Sequence, residues 1–333
     1  MASFGFRGTR IELGPGESAL DALDRVGIPL KSGCRSGVCG ACLVRVTKGT
    51  VPADARRGIA PVLTAQGAAF ACCLRPTADL ELDDLDGGLE HRARIVALET
   101  IGQDVLRMRL ACEGNFDYTP GQYVVLQRDD GLERSYSLAS LPGDATLELH
   151  VRRTIGGAMS SWLFDGARPG DGVGLRGPLG TCCYTPERQD GPLVLVGAGT
   201  GLAPLFGILR DALNRGHTGP IQLFHGARDT NGLYYRAELL AIASAASNVT
   251  VRGCVLEGPT PDPSVRVAPL GDAVASVFPN LAGCRVFLCG DGSLVRSLKR
   301  RFFLAGAASR DLLADPFDAA ALPARKIAAG PCN

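Results

Sequence analysis

The sequence predicts a multidomain chain that combines α+β and α/β parts, and three changes of texture predict it. Cysteines crowd near the N-terminus, apolar residues then alternate with period two, and from about residue 189 short apolar runs alternate with helical stretches. At 333 residues the chain is long for one core, since domains run to roughly 150 residues. The texture places a cysteine-bearing domain at 1–84, a linker at 85–91, an antiparallel β-barrel or sandwich at 92–188, a parallel α/β domain at 189–320 and a tail at 321–333.

Composition excludes several classes of function. Lys and Arg number 35 against 34 Asp and Glu, a net charge of +1, so no global field draws the chain to nucleic acid or anionic lipid. No basic stripe with interleaved aromatics is present, and nucleic acid is set aside. The opening MASFGFRGTRIELG carries Arg7, Arg10 and Glu12 and has no apolar h-region, unlike a signal peptide. The uncharged run PLVLVGAGTGLAPLFGIL, 192–209, approaches the length of a membrane span. Four glycines and two prolines interrupt it, which reads as strand, turn and buried helix. The expectation is a cytoplasmic chain without a membrane partner, in which twelve cysteines are ligands or buried thiols and not disulfides.

Element by element, ESALDALDRVGI predicts an amphipathic helix with Leu20, Leu23 and Val26 on its apolar face. DLELDDLDGGLE, 79–90, holds six acids and a Gly-Gly pair, and reads as the end of one domain plus a linker with a solvated acidic edge. TLELHVRR puts Leu147, Leu149 and Val151 on one face of a strand and Glu148, His150 and Arg152 on the other; VLRMRL does the same with Leu106, Met108 and Leu110. Further on, LVLV, IQLFH, VTVRGCVL and RVFLC alternate with LAPLFGILRDALNRG, LYYRAELLAIA and SLVRSLKRRFFLAG, the βα repetition of a parallel sheet. The basic set Arg296, Lys299, Arg300 and Arg301 is expected on solvated surface rather than in an internal dock with the acidic run.

The stretch CRSGVCGAC, 34–42, carries the strongest chemical signal. Zinc sites usually pair their ligands as two CxxC or CxxH units. Here Cys34, Cys39 and Cys42 follow C-x4-C-x2-C, and FACCLRP supplies a distant fourth in Cys72 or Cys73, the plant-type [2Fe–2S] spacing. Gly33, Gly37 and Gly40 let the loop wrap closely and aim N–H groups at sulfur. Neighbouring side chains of an extended segment point opposite ways, so one cysteine of the pair faces the iron, and the expectation is Cys72. Cys112, Cys182, Cys183, Cys254, Cys284 and Cys332 read as buried or surface thiols.

GQYV at 121–124, RSYSLAS at 134–140 and GGAMSSW at 156–162 resemble the flavin signature of the ferredoxin–NADP reductase superfamily, and GAGTGLAP at 197–204 with LCG at 288–290 resembles its nicotinamide signature. With a cysteine module in front, the chain from about 5 to 317 resembles the three-cofactor reductases that serve multicomponent oxygenases. The resemblance implies a β-grasp ferredoxin domain, an antiparallel β-barrel flavin domain and a parallel α/β nucleotide-binding domain, with FAD and a nicotinamide as cofactors beside the cluster. On the flavin side it points to Gln122, Tyr123, Arg134, Ser135, Tyr136, Ser137, Leu138, Gly156, Gly157 and Ser160. Their chemistry suits the task. Arg134 offers a bidentate fork to phosphate, Tyr136 a flat face to an isoalloxazine, and Ser137 a hydroxyl where hydride arrives. Gly156, Gly157, Ser160 and Ser161 read as a helix start approached by a pyrophosphate.

On the nicotinamide side, Gly197, Gly199, Thr200 and Gly201 follow an apolar strand and open a helix, where a parallel sheet binds phosphates. By the resemblance, Cys289 and Gly290 lie near the nicotinamide ring, with Ser137 across the flavin and Asp315 and Phe317 approaching it. The family's two prolines after CG are replaced here by Asp291 and Gly292; Asp291 either caps the next helix or alters how nicotinamide enters. Asp229 would accept from a ribose hydroxyl and repel a 2′-phosphate, whereas Arg228 pulls the other way; the balance favours NADH over NADPH.

The function implied is electron transfer: hydride from NADH to FAD, then single electrons through the [2Fe–2S] centre to a terminal oxygenase, whether a Rieske dioxygenase, a di-iron monooxygenase or a cytochrome P450. The alternatives are a general NAD(P)H diaphorase or quinone reductase and an iron–sulfur flavoprotein redox sensor.

Overall fold

The computed structural model describes residues 2–30, 32, 35, 37, 40, 42–57, 59, 61–85, 90–260 and 262–317. They divide into two compact units, one drawn from 1–57 and 69–83 and the other from 58–68 and 84–317. Among the described residues no helix is long and apolar enough to cross a membrane.

The first unit is built on a sheet of β1 (Ser3–Phe6), β2 (Thr9–Glu12), β3 (Leu43–Lys48), β4 (Ala68–Phe70) and β5 (Leu80–Asp84), in the order β2-β1-β5-β3-β4. β1 runs antiparallel to β2 and parallel to β5, the mixed pairing of a β-grasp. Helix α1 (Ala19–Arg25) starts at a capping box: the Ser18 hydroxyl accepts from the Asp21 N–H while the Asp21 carboxylate accepts from the Ser18 N–H. Leu20 and Leu23 are fully buried, worth about 2 kcal/mol each. Val26 departs from the expected apolar face. It is the C-cap and 42% exposed, because the chain turns away through Gly27 at φ +75°.

The acidic run also departs from expectation. Leu80 and Leu82 are buried strand residues, and Asp79 and Glu81 pair with Arg10, so its first half belongs to the sheet. Its residues 86–89 lie outside the described ones, and a short helix α2 (Pro61–Ala65) sits between β3 and β4 in sequence.

In the second unit β6 (Glu90–Thr100), β7 (Val105–Cys112), β8 (Tyr123–Gln127), β9 (Glu133–Ser137), β10 (Leu147–Arg152) and β11 (Gly172–Leu179) form a sheet of order β10-β7-β6-β11-β8-β9. Glu90 and His91, expected in the linker, are strand residues opposite Arg176 and Leu175. A bridge between Leu138 and Leu149 joins the two edges and closes the barrel. Leu106, Met108, Leu110, Leu147, Leu149 and Val151 fill its interior, as the alternation requires. The opposite face of β10 is not uniformly wet: Arg152 is exposed but His150 is 3% exposed, because Tyr234 and Tyr235 pack over it. Helix α3 (Ala158–Ser161) precedes β11.

Six parallel strands follow: β12 (Leu193–Ala198), β13 (Ile221–Ala227), β14 (Val249–Val255), β15 (Val265–Val267), β16 (Arg285–Asp291) and β17 (Leu312–Phe317), ordered β15-β14-β13-β12-β16-β17. They alternate with α4 (Leu202–Asn214), α5 (Arg236–Ala245), α6 (Leu270–Val277) and α7 (Gly292–Leu304). β15, α6 and β17 go beyond the elements the sequence suggested. Chain order reverses at β12, flanked by β13 and β16, and such a switch point is where an open α/β sheet takes its ligand. The run 192–209 resolves into β12, a glycine turn and the buried α4. LYYRAELLAIA becomes helical only at Arg236, since Tyr235 sits at φ +59°. That left-handed residue frees Tyr234 and Tyr235 to fill the space between the barrel and the parallel sheet.

Candidate functional site

Three sequence-distant residues converge at the carboxyl edge of the parallel sheet. Strand register puts Gly197, Cys289 and Asp315 in one row across β12, β16 and β17. Ser137, the last residue of β9, reaches over from the barrel and donates its hydroxyl to Asp315 Oδ2 at 2.9 Å. Both residues are buried, and burial pushes the Asp315 carboxyl up to about 6, partly offset by the Ser137 bond. Cys289 is buried, with Cys182 Sγ 4.0 Å from its sulfur, and burial first, then Cys182, drive its thiol well above the ordinary range.

The glycine turn is shaped by close approach. A Cβ on Gly201 would lie 2.2 Å from the Cys289 carbonyl oxygen, and one on Gly197 would lie 2.7 Å from Leu205. Gly199 sits at φ +52°, a conformation glycine adopts without steric cost. Thr200 lies in the same turn, before α4. His225, on β13 opposite Gly197, reaches the Gly199 carbonyl through Nε2 at 3.2 Å. A carbonyl only accepts, so Nε2 carries the proton; Nδ1 finds no hydrogen-bond partner among the described residues. Burial pushes His225 down to about 4.

Sequence reasoning missed His225 and the network behind it. His150 Nδ1 meets the Tyr234 hydroxyl at 2.9 Å, and His150 Nε2 donates to Glu148 at 2.9 Å. Tyr235 donates to the same Glu148 oxygen at 2.6 Å and accepts from Arg107 at 3.0 Å. This hydrogen-bonded chain ties barrel strands β7 and β10 to the segment before α5.

The flavin-side residues cluster around β8 and β9 but divide in what their side chains do. Gln122 spends its amide on the protein, accepting from Thr119 N–H and donating to the Gly180 carbonyl. Tyr123 is buried, its ring packed where a Cβ on Gly180 would stand. Leu138 is fully buried in the barrel core. Arg134 and Tyr136 share one face of β9 and Ser135 and Ser137 the other. Tyr136 is half-buried at the margin of the barrel core, and desolvation lifts its phenol above the usual range. Ser160 accepts from Thr154 N–H at 3.1 Å and donates to the Gly157 carbonyl, bracing the loop; Gly156, at φ +71°, has nothing within 4 Å of where a Cβ would stand.

At the carboxyl ends of β13 and β14, Arg228 Nε donates to Glu257 at 2.6 Å. Asp229 accepts from the N–H groups of Asn231 and Gly232. Asp291 caps α7, accepting from Ser293 and Leu294 N–H. Gly290, at φ +128°, packs where a Cβ would press on Ala198 at 3.0 Å, and half-buried Phe317 ends β17 opposite Asp291.

In the first unit, Cys34 and Cys39 lie outside the described residues. Cys42 and Cys72 are both buried. The Gly37 N–H donates to Cys72 Sγ at 3.3 Å, and Gly37 and Gly40 take left-handed φ values of +74° and +70°. A Cβ on Gly37 would strike Cys73 Sγ at 2.7 Å. Arg35, also left-handed, ties this loop to Asp21 and Asp24 on α1. The extended segment expected at the cysteine pair is instead a turn, which brings the Cys72 and Cys73 sulfurs to 3.8 Å.

These surroundings fit the groups implied. Cys42 beside Cys72 pushes that thiol far up, the mutual penalty of sulfurs gathered for a cation to relieve, and an N–H already aims at sulfur. The open face of Gly156, the half-exposed Tyr136 ring and the glycine turn at the switch point offer room, a stacking surface and close backbone approach for a flavin and a nicotinamide.

Comparison with known proteins agrees. Residues 6–77 match the 2Fe-2S iron-sulfur cluster binding domain, 92–184 the oxidoreductase FAD-binding domain and 195–300 the oxidoreductase NAD-binding domain. The chain is 33% identical over 314 residues to the ferredoxin–NAD(P)+ reductase component of the naphthalene 1,2-dioxygenase system of Pseudomonas putida, covering 92% of this chain and 95% of that one. It is 37% identical over 316 residues to the reductase subunit of an aromatic O-demethylase of Amycolatopsis, covering 88% and 93%. The crystal structure of the Amycolatopsis cytochrome P450 reductase GcoB superposes with a TM-score of 0.69 at 33% identity, over 95% of this chain and 99% of that one. The chain therefore belongs to the family of [2Fe–2S]-, FAD- and NAD-binding reductase components of oxygenase systems.

Proposed function

We propose that this protein is a cytoplasmic NADH-oxidising reductase that feeds single electrons to a terminal oxygenase of the Rieske, di-iron or cytochrome P450 type. FAD, when bound, would supply the conversion of an electron pair from nicotinamide into single electrons, and a [2Fe–2S] centre would supply their exit. Residues 1–84 form the cluster domain, 90–188 the flavin domain, which takes in Glu90 and His91 of the expected linker, and 189–320 the nucleotide domain.

The observation that carries the reading is the Ser137–Asp315 hydrogen bond beside Cys289, which draws three separate motifs to one point at the switch of the sheet. Ser137 presents a hydroxyl at the point of hydride arrival, with Asp315 fixing its rotamer. Cys289 and Gly290 flank the nicotinamide ring, and Phe317 closes over the flavin. Gly197, Gly199, Thr200 and Gly201 admit the diphosphate. Arg134 holds flavin phosphate, Tyr136 stacks on the ring system, and Ser135, Gly156, Gly157 and Ser160 line the pyrophosphate approach. Gln122, Tyr123 and Leu138 brace that wall from inside. Cys34, Cys39, Cys42 and Cys72 hold iron. Asp229 favours a ribose hydroxyl over a 2′-phosphate.

The test uses the full-length protein loaded with its cofactors and its Cys72→Ser/Cys73→Ser double variant, since the two sulfurs stand 3.8 Å apart. Both should reduce a small dye with NADH, and only the parent should support hydroxylation by a terminal oxygenase that it serves. A variant that sustains hydroxylation at the parent rate would overturn the electron route. Parent protein that reduces quinones rapidly and no oxygenase would favour the general diaphorase.

A further inference from the structure

We propose that Glu257 sets the choice of nucleotide by occupying Arg228, the cation just past β13 that is positioned to receive a 2′-phosphate. The inference rests on the reading that the protein prefers NADH. In a doubly wound sheet the residues just past the second strand read the adenosine ribose, and here those residues are Arg228 and Asp229, immediately after β13. By position Arg228 is the group that would grip a 2′-phosphate, since guanidinium matches phosphate geometry. It is already engaged.

Two backbone bonds bring Glu257 to it, the N–H groups of Leu256 and Glu257 donating to the Arg228 carbonyl at 2.9 and 3.0 Å. The side chains then meet at 2.6 Å, and the Glu257 contact raises the guanidinium above its ordinary range. Glu257 holds the guanidinium and Asp229, next in the chain, acts on it through space, so a phosphate dianion arriving there meets a cation already neutralised. Asp229 has a second duty, because one of its oxygens caps the turn at Asn231 and Gly232. Glu257 has no such structural bond among the described residues and is the replaceable member of the pair. The pair is solvent-exposed, with side chains 82% and 58% accessible, so its release shifts affinity by a modest factor.

The experiment titrates adenosine 2′,5′-bisphosphate and 5′-AMP into the holoenzyme by calorimetry, alongside kcat/KM for NADPH and NADH. Glu257→Gln should bind the 2′,5′-bisphosphate about fivefold tighter than the parent, with the gain shrinking as salt is added. The NADPH-to-NADH ratio of kcat/KM should rise by a similar factor. Glu257→Lys should go further, and Arg228→Gln placed on Glu257→Gln should cancel the gain. If the parent prefers NADH and Glu257→Gln leaves both binding and ratio unchanged, or the gain survives loss of Arg228, the gating role is wrong. If the parent itself prefers NADPH, the underlying NADH reading fails instead.

Discussion

The Ser137 hydroxyl donates to the Asp315 carboxylate at 2.9 Å across 178 positions of sequence, joining the end of a barrel strand to the last strand of the parallel sheet. The carboxylate is buried, and its pKa rises from 3.8 to about 6. Between those values the folded chain holds a proton that the unfolded chain has lost. Stability from this group is therefore greatest below about pH 4 and is lost as pH rises through 6, by about 3 kcal/mol in all. Asp315→Asn removes that loss. Its melting temperature relative to the parent should climb between pH 4 and 7, measured by calorimetry. Flavin reduction by NADH, followed by stopped flow, should inflect near pH 6 in the parent and run flat in Asp315→Asn. Ser137 lowers the carboxyl's pKa, so Ser137→Ala should move the inflection upward. An inflection that survives Asp315→Asn would assign it to another group.

His225 has the opposite sign. Burial depresses its pKa from 6.5 to about 4, so the unfolded chain takes up a proton that the folded chain refuses. Its contribution is present above 6.5 and lost as pH falls toward 4, worth roughly 3 kcal/mol. His150 is lowered by burial too and adds in the same direction. His225→Gln keeps an N–H for the Gly199 carbonyl and removes the titration. Urea midpoints of that variant should fall less steeply than the parent's between pH 6.5 and 4.5. Equal slopes would mean that the imidazole is not neutral in the fold.

What could be read in advance was local. RSYS, GGxxS, the glycine turn and C-x4-C-x2-C each lie within one short segment, so spacing carries their meaning. His150 read as a solvent-facing strand residue because alternation reports only its own strand; Tyr234, which buries it, lies 84 positions away. Cys182 meets Cys289 across 107 positions and Arg228 meets Glu257 across 29, with no periodicity to signal either. β17 was hidden by Pro316 inside ADPF, a residue tolerated because that strand is the sheet's edge. The turn at Cys72 defeated an argument built on extended geometry, because alternation holds only where the backbone is extended.

Gly201 gives the most direct steric test. A methyl group there would stand 2.2 Å from the Cys289 carbonyl oxygen, which backbone cannot yield without moving the turn from β16. Gly201→Ala should cost about 1–3 kcal/mol in chemical denaturation, the usual penalty of overpacking. It should also raise the KM for NADH more than tenfold while cofactor content stays at the parent level. Unchanged KM with lowered stability would separate the turn from nucleotide binding.

The adjacent cysteines, finally, differ in more than position. Cys72 is 6% exposed and receives the Gly37 N–H, whereas Cys73 is half-buried and its sulfur stands 2.7 Å from where a Cβ on Gly37 would be. The Gly37 N–H aimed at Cys72 Sγ favours its thiolate, the form that ligates iron, and supports the proposal of Cys72 as the fourth ligand. Cys72→Ser should abolish the visible absorbance of the cluster and its two iron atoms per chain. Cys73→Ser should retain both after anaerobic reconstitution, checked by iron analysis and electron paramagnetic resonance of the dithionite-reduced protein. Because the two sulfurs stand only 3.8 Å apart, Cys73 is close enough to substitute. The double variant is therefore the decisive comparison: a residual signal in Cys72→Ser that vanishes when Cys73 is also changed would show ligand exchange, and loss in Cys73→Ser alone would reverse the assignment.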